Sequence, residues 1–320
     1  MMSSRACRGT ASRARVLAAG AALFALPLRV RAQALEKIRV VAVPTDDMTP
    51  IYYAIRNGEY RRAGLDVEVI AANSGSASTA AIVAGAYELG KASPMASLLA
   101  HLRGLPLTIV ANGAVWDPKH PFNLVLAAAD SPIKTGADCN GKIASAPGLN
   151  DTLQLGVNLW IDKNGGDSKT VKWVEIPNSA AANALAEHRV DLTALNEPQL
   201  SAALADGKVR RLGDAFTVIA PRWVASVYLA NPDWASKNAE AVRRWVKVTY
   251  QMAGWCNAHQ PETAAMMSDI TKIPLPVFQK MARIEGTTTH DPSLLQPVMD
   301  LGLRYNVLPR AFPVKELYFS

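Results

Sequence analysis

The chain has 320 residues, a formal net charge of +7 and a pI near 9.3. Six arginines and no acidic residue lie within the first 34 positions, so the rest of the chain carries a net charge of only +1. This balance argues against binding to nucleic acid or to an anionic membrane surface, because both need a basic face. The three cysteines form no C-x-x-C motif, which argues against a disulfide framework.

The first 34 residues predict a secretory signal peptide. Arginines cluster between positions 5 and 15, an apolar run follows from 16 to 28, and Ala32-Gln33-Ala34 has the pattern of a cleavage site. The apolar run is too short to span a bilayer. An N-terminal anchor is the alternative. We therefore predict export to the periplasm and a mature chain that begins at residue 35.

The first folded stretch predicts a strand, a polar turn, a helix and a second strand. Ile38–Val43 is a short apolar run that is typical of a buried strand. Thr49-Pro50 is a helix-start signal in which the Thr49 hydroxyl caps the first turn, and Gly64 follows basic residues where the helix should stop. Leu65–Ile70 is the second strand. A polar loop between a strand and a helix start is where α/β sheets bind ligands.

Strands and helices continue to alternate, which indicates an α/β fold with mostly parallel sheets. The Asn123–Ala128 run predicts a crossover into a second lobe, and Phe216–Ala220 with Ala225–Ala230 predict the return. The predicted organisation is a first lobe over 35–122, a second lobe over 123–224, and a mostly helical return to the first lobe over 225–320. The other predicted strands are Tyr87–Gly90, Leu107–Ala111, Lys142–Ala146, Val171–Ile176 and Val190–Leu195. The small-residue turn Asn73–Ser78 is predicted to open a short helix that continues through Ala84. The other predicted helices run from Met95 to Arg103 and from Thr152 to Lys163, and two more begin near Ser179 and Pro198.

Several short motifs resemble one family in their order and spacing. The helix that ends in N-G-E-Y-x-x-A-G-L and the strand after it resemble the opening of the substrate-binding proteins of nitrate/sulfonate/taurine-type ABC importers. The family also includes fungal thiamine-pyrimidine synthases. The resemblance continues over roughly 280 residues, through the segments 81–90, 130–134, 140–143 and 295–300.

The resemblance implies a two-lobed, type II periplasmic-binding fold with a hinge of two crossovers and a ligand cleft between the lobes. Hinge closure around a ligand would be its working motion. Cys139 and Cys256 are expected in different lobes and hence unpaired.

Motifs for chemistry are weak or incomplete. The segment Gly136–Ile143 lacks the final Ser/Thr of a P-loop, and its lysine begins a strand. No nucleophile elbow is present, and the five histidines have no neighbours at metal-ligand spacing. We predict no catalytic residue, no metal and no cofactor.

The candidate ligand-binding residues lie in polar loops at the predicted carboxyl ends of strands, together with two tryptophans. For Thr49, Ser93 and Thr152, helix capping without ligand contact is an equal alternative, and for each tryptophan core packing is the alternative. In the first lobe the candidates are Thr45, Asp46, Asp47, Thr49, Asn73, Ser74, Gly75, Ser93, Met95 and Trp116. In the second lobe they are Asn150, Asp151, Thr152, Asn196, Glu197 and Trp223.

These loops contain four carboxylates and no lysine or arginine. Negative charge beside a bound anion is unfavourable in a low-dielectric cleft. Any carboxylate that faces the cleft therefore favours a ligand with an amine, amidine or ring N–H. Trp116, Trp223 and Tyr52 are candidates to stack on a planar or cationic ligand.

The sequence thus predicts an exported, monomeric solute-binding protein that delivers a small polar organic ligand to an ABC permease and performs no chemistry. A sulfonate or nitrate ligand is the alternative within this class. Outside it, one alternative is an enzyme related to the pyrimidine synthases, and another is a sensor that docks on a signalling receptor. The signal peptide and the missing cysteine-rich iron-binding pattern argue against the enzyme.

Overall fold

The computed structural model describes residues 34–319, so the predicted signal peptide lies outside the described residues apart from Ala34. Within this range the strands are β1 Glu36–Ala42, β2 Leu65–Ala71, β3 Leu89–Ala92, β4 Thr108–Asn112, β5 Val115–Trp116, β6 Asn123–Ala128, β7 Ile143–Ala146, β8 Lys172–Glu175, β9 Leu192–Asn196, β10 Val209–Gly213, β11 Trp223–Val224 and β12 Val227–Ala230. The α-helices are α1 Thr49–Arg56, α2 Glu59–Arg62, α3 Gly75–Val83, α4 Pro94–Leu102, α5 Thr152–Lys163, α6 Asn178–Ala186, α7 Gln199–Ala205, α8 Pro232–Lys237, α9 Ala239–Ala258, α10 Gln260–Thr271, α11 Leu275–Lys280 and α12 Gln296–Arg304.

Two five-stranded sheets organise the chain. The first has the order β2-β1-β3-β12-β4, and the second has the order β10-β6-β9-β7-β8. In each sheet four strands run in the same direction, and the strand that enters from the other sheet, β12 or β6, is antiparallel to its neighbours. We call the regions around these sheets the first and second lobes. The boundaries predicted at 122/123 and 224/225 stay predictions.

The two connections between the sheets pair with each other. Strands β5 and β11 form a two-stranded antiparallel ribbon in which Trp223 lies opposite Trp116. A second link is apolar: α12 contacts α4, α5 and β11, and one continuous core cluster contains buried residues of all four elements. The sheets are therefore joined by both a ribbon and a packed apolar cluster.

Local chemistry explains where the predicted first helix differs from the observed one. Thr49 does not cap it: helix α1 begins at Thr49, and the Thr49 hydroxyl donates to the Asp46 carbonyl at 2.6 Å. The helix is also interrupted, because Asn57 ends α1 and Gly58 has φ +72°, a left-handed conformation that glycine adopts easily. The predicted stop at Gly64 is confirmed by a φ of +78°.

The return to the first lobe also differs from the prediction. Phe216–Ala220 forms turns instead of a strand, because the Asp214 carboxylate accepts from the backbone N–H groups of Phe216 and Thr217 at 2.8 and 3.0 Å. The return instead uses β11 and β12. The edge strand β10 was not predicted, because its sequence Val-Arg-Arg-Leu-Gly has no long apolar run. Helix α6 begins at Asn178 after Pro177, so Ser179 does not cap it.

Among residues 34–319, no helix has both the length and the hydropathy that a bilayer span requires.

Candidate functional site

A cavity of about 90 Å³ lies between the two lobes. This is roughly six times the space that a single buried water needs, so the cavity has room for a molecule of a few heavy atoms. Its walls come from the loop after β1, the last residues of β3, and the starts of α3, α4, α5 and α6. The polar residues that line it are Thr45, Asp47, Ser74, Lys91, Ser93, Asp151, Thr152, Asn178, Asn196 and Ser226.

Half of the sixteen predicted site residues line this cavity. They are Thr45, Asp47, Ser74, Gly75, Ser93, Asp151, Thr152 and Asn196. The other eight lie elsewhere: Asp46, Thr49, Asn73, Met95, Trp116, Asn150, Glu197 and Trp223. That any of the sixteen contacts a ligand stays a prediction.

Asp47 is the centre of a buried hydrogen-bond network. The Lys91 ammonium donates to Asp47 Oδ1 and to Thr45 Oγ1. The Thr45 hydroxyl donates to Asp47 Oδ1 at 2.6 Å, and the Ser226 hydroxyl donates to Asp47 Oδ2 at 2.7 Å. Burial alone would raise the pKa of the Asp47 carboxyl, but the Lys91 charge and these hydrogen bonds hold it below its ordinary value. Asp47 is therefore an ionised and fully partnered carboxylate.

Asp46 does not line the cavity and forms an ion pair with Arg283. Its carboxylate accepts from Arg283 Nε at 2.9 and 3.0 Å and from the Ile284 backbone N–H at 2.8 Å. The same guanidinium donates to the Gln260 carbonyl and the Thr263 hydroxyl. In this structure the Asp46 carboxylate does not line the cavity: it is 1% exposed and its partner is an internal cation.

Asp151 is in a different situation. It precedes α5, lines the cavity and is 6% exposed. Within residues 34–319, no basic side chain lies at ion-pair distance from its carboxylate. Burial raises its pKa, and this outweighs the opposite effect of the Ser93 hydroxyl and of the first backbone N–H groups of α5. Asp151 is thus the lining carboxylate without a cation.

Glu197 lies beside the cavity and joins the lobes. Its backbone carbonyl accepts from the Asp46 N–H at 3.4 Å, and its carboxylate accepts from the Ser201 N–H at 3.0 Å and the Ser201 hydroxyl at 2.7 Å. Burial raises the pKa of Glu197 to about 7, the Ser201 hydrogen bonds lower it, and the charge of Asp46 raises it. Its carboxylate therefore anchors the start of α7 instead of lining the cavity.

The lobes also meet where Ser93 and Met95 of the first lobe contact Thr152 of the second. The Ser93 and Thr152 hydroxyls lie 3.1 Å apart, and Thr152 Oγ1 accepts from the Met95 backbone N–H at 3.2 Å. Neither hydroxyl makes a hydrogen bond within its own helix start. These residues therefore join the two lobes, which the capping alternative does not explain. Within the first lobe, Gly75 lets the start of α3 lie close to Ser93, because a Cβ there would be 2.8 Å from the Ser93 nitrogen.

The two tryptophans pack behind the cavity wall. Both Trp116 and Trp223 are fully buried, and their rings meet those of Phe122 and Phe216 edge to face at 4.8–5.5 Å between centroids. Phe122 and Phe216 line the cavity, whereas neither tryptophan does. The predicted stacking of the indoles on a ligand is therefore replaced by core packing. Tyr52 does not line the cavity either.

The three asparagines of the predicted site differ in their exposure and in whether they line the cavity. Asn73 and Asn150 are exposed, and Asn150 adopts a φ of +56° in the loop before α5. Asn196 lines the cavity, and its side-chain oxygen accepts from Asn123 Nδ2 at 2.8 Å. Only Asn196 among the three is placed to meet a ligand in this cavity.

The lining residues that were not predicted from the sequence include Lys91, Asn178, Ser226 and the two phenylalanines, Phe122 and Phe216. Lys91 could have been predicted from the sequence, because a lysine inside the apolar strand Leu-Gly-Lys-Ala has to be paired when the strand is buried. Ser226 could not have been, because its role depends on a contact with Asp47, 179 residues earlier.

In the described part of the chain, no group of three or more His, Cys, Asp or Glu side chains could hold a metal ion. Cys139 and Cys256 are buried free thiols.

Comparison with known proteins places this geometry in context. The family described as "NMT1/THI5 like" matches residues 45–264, which is more than half of the chain. A curated protein of Escherichia coli (strain K12) that is named for binding aliphatic sulfonates is 25% identical over 244 residues, which is 74% of each chain.

Solved structures share the fold. The alkanesulfonate-binding protein SsuA from Xanthomonas axonopodis pv. citri, bound to MOPS, superposes with a TM-score of 0.74 at 18% identity, over 88% of this chain and 98% of that one. The periplasmic nitrate-binding protein NrtA from Synechocystis PCC 6803 gives 0.72 at 16% identity, over 88% and 84%. The predicted two-lobed periplasmic-binding fold is confirmed by these structures, and the predicted family is confirmed by the family match.

Proposed function

We propose, on the premise that this chain belongs to the NMT1/THI5-like family, that it is the exported solute-binding component of an ABC importer. It captures a small polar organic molecule that carries an ammonium or ring N–H group, holds it between the lobes, and delivers it to a membrane permease. The N-terminal sequence supports export to the periplasm, and the kind of protein that the relatives are supports delivery to a permease.

The observation that supports the ligand class is the state of the lining acids. Three ionisable side chains line the cavity, and two of them, Asp47 and Lys91, neutralise each other. The third, Asp151, has no cation. A buried carboxylate without a cation is unfavourable, and a ligand ammonium or ring N–H would supply the positive charge or donor that the protein lacks.

Closure would couple the ligand to the fold. A ligand seated between Asp151 on one lobe and the Thr45 loop on the other contacts both lobes only when they are closed. It therefore shifts the population toward the closed form by its difference in affinity for the two states. A permease that recognises the closed form would then distinguish loaded from empty protein.

A sulfonate or nitrate ligand is the second candidate, and a specific observation favours it. The cavity wall contains residues at the starts of four helices, α3, α4, α5 and α6, and helix N-termini attract anions. The names of the relatives point the same way. An anion would require Asp151 to be protonated or to face away from it.

A matched set of three compounds separates these candidates. Ethylammonium carries only the cation, ethanesulfonate carries only the anion, and taurine carries both on the same two-carbon frame. Each compound is titrated into the purified protein by calorimetry and by thermal unfolding. A compound at about a hundred times its Kd adds roughly 2.7 kcal/mol of stability, a shift of about 5 °C or more in Tm.

We expect ethylammonium or taurine to bind and ethanesulfonate not to bind. Replacing Asp151 by Asn, a residue of the same shape that is equally favoured before a helix, should weaken amine binding by tenfold or more. Asp130→Asn is the matched control, because Asp130 is exposed and pairs only with His188. Binding of ethanesulfonate alone, unchanged in Asp151→Asn, would establish the second candidate and reject the first.

A further inference from the structure

We infer that Lys91 is a specificity-determining residue: it cancels the charge of Asp47, so that Asp151 alone sets the charge that the cavity accepts. This inference rests on the proposed function, since it concerns the same cavity and names the residue that selects among its ligands.

The contacts of Lys91 are those of a built ion pair. Lys91 is 7% exposed and lies on β3, between β1 and β12, in the middle of the first sheet. Its ammonium donates to Asp47 and to Thr45, and all three residues line the cavity. No other lysine and no arginine lies among the residues that the structure places around this cavity.

Asp47 has a second role that makes its charge hard to remove. It accepts from the Ser226 hydroxyl, and that hydroxyl oxygen accepts from the Ala114 backbone N–H at 2.9 Å. Ala114 precedes β5 and Ser226 follows β11, so this chain of hydrogen bonds reaches both connections between the lobes. Asp47 thus fixes the connections, and its negative charge lies at the cavity wall as a consequence.

Lys91 lets Asp47 fix the connections between the lobes without adding net charge to the cavity wall. With Lys91 in place, the Asp47–Lys91 pair is neutral and the net charge of the lining is that of Asp151. Without Lys91, a second negative charge would face the ligand, and coulombic interactions are strong at such short range in a poorly solvated cavity. Anions would then be rejected and cations attracted, whatever the hydroxyls and helix N-termini favour.

The test compares Lys91→Met with the double variant Lys91→Met/Asp47→Asn. For each protein, the Kd values of ethylammonium, taurine and ethanesulfonate are measured by calorimetry at pH 6 and pH 9. We expect Lys91→Met to shift the ratio of cation to anion affinity toward the cation by tenfold or more. The shift should be larger at pH 9, because an Asp47 without Lys91 takes up a proton more easily at pH 6. The double variant should return the ratio to that of the wild type.

Arg39→Met is the control for overall charge. It removes one positive charge from the same lobe, but Arg39 pairs with Glu88 and does not line the cavity. An unchanged ratio in Lys91→Met, in protein that still binds a probe, would overturn this inference and leave the proposed function standing. Failure of the double variant to restore the ratio would also overturn it. If wild-type protein binds none of the three probes, the proposed ligand class is wrong and the inference falls with it.

Discussion

The two lobes differ in whether their buried acidic side chains are paired with cations. The first lobe pairs Asp46 with Arg283 and Asp47 with Lys91. The second lobe leaves Asp151 without a cation and gives Glu197 only neutral donors from Ser201. The pKa values follow this difference: that of Asp47 is lowered, that of Asp151 is raised, and that of Glu197 is raised to about 7.

This contrast separates structural charge from charge that is available to a ligand. A buried carboxylate with its own cation is part of the framework, because breaking the pair would leave an uncompensated charge. A buried carboxylate without a cation is unfavourable in the empty protein and favours whatever brings a positive charge or a donor. The first-lobe wall of the cavity is therefore neutral, whereas the second-lobe wall contains a carboxylate without a cation, to which the proposed ligand would bind.

The largest effect should come from breaking a first-lobe pair. Arg283→Met should destabilise the protein by about 3–5 kcal/mol, because it leaves Asp46 buried without its cation. Denaturant unfolding measures the loss. Arg39→Met breaks a more exposed pair with Glu88 and should destabilise the protein much less. Equal losses in the two variants would mean that burial of the Asp46–Arg283 pair is not what makes it important.

The pH dependence of stability should reveal Glu197. Its pKa is about 7 in the folded protein and has an ordinary value of 4.5. A carboxyl with a raised pKa stabilises the fold below the unfolded pKa, and that stability is lost as the pH rises through the folded pKa. Glu197→Gln can still accept from Ser201 but cannot ionise.

Between pH 4.5 and 7, the free energy of unfolding of Glu197→Gln should therefore rise relative to that of the wild type. The rise should be at most about 3 kcal/mol, at 1.36 kcal/mol per pKa unit. Unfolding curves at several pH values measure this difference. Glu187→Gln, at an exposed site, is the control and should show no such trend. A constant difference between Glu197→Gln and wild type at all pH values would contradict the raised pKa.

A smaller effect is expected from Asp151 in the empty protein. Asp151→Asn should raise stability by about 1 kcal/mol near pH 7, because it removes a carboxylate that is buried without a cation. The raised pKa fixes the sign: the advantage of the variant should grow as the pH rises. Thermal unfolding without added ligand measures it. A loss of stability above pH 7 would show that the carboxylate has a partner in the empty protein.

Much of the fold could be predicted because local signals agree with it. Helix α5 has the predicted bounds Thr152–Lys163, since a polar residue precedes it and Gly165, with a φ of +84°, follows it. The buried strands were found as short apolar runs. Strand β10 was missed because an edge strand needs no apolar run. Phe216–Ala220 was predicted as a strand but forms turns, because the Asp214 carboxylate accepts hydrogen bonds from backbone N–H groups there.

The candidate site was harder to predict because its chemistry depends on distant pairs. The loops that hold Asp46 and Asp47 were found, but their cations were not. Arg283 lies in an irregular segment 237 residues from Asp46, and Lys91 lies inside a strand, so neither lies in the loops that supplied the predicted site residues. Without those cations, all four loop acids looked alike. Only the tertiary structure separates the paired Asp46 and Asp47 from the unpaired Asp151.

The most direct test of this account is an NMR titration of the Asp151 carboxyl carbon, in free protein and with saturating ethylammonium or taurine. The account predicts a pKa above the ordinary value in free protein, and a clear fall when the amine binds and stabilises the carboxylate. An ordinary pKa in free protein, or a pKa that stays the same or rises on binding, would show that Asp151 does not receive the ligand.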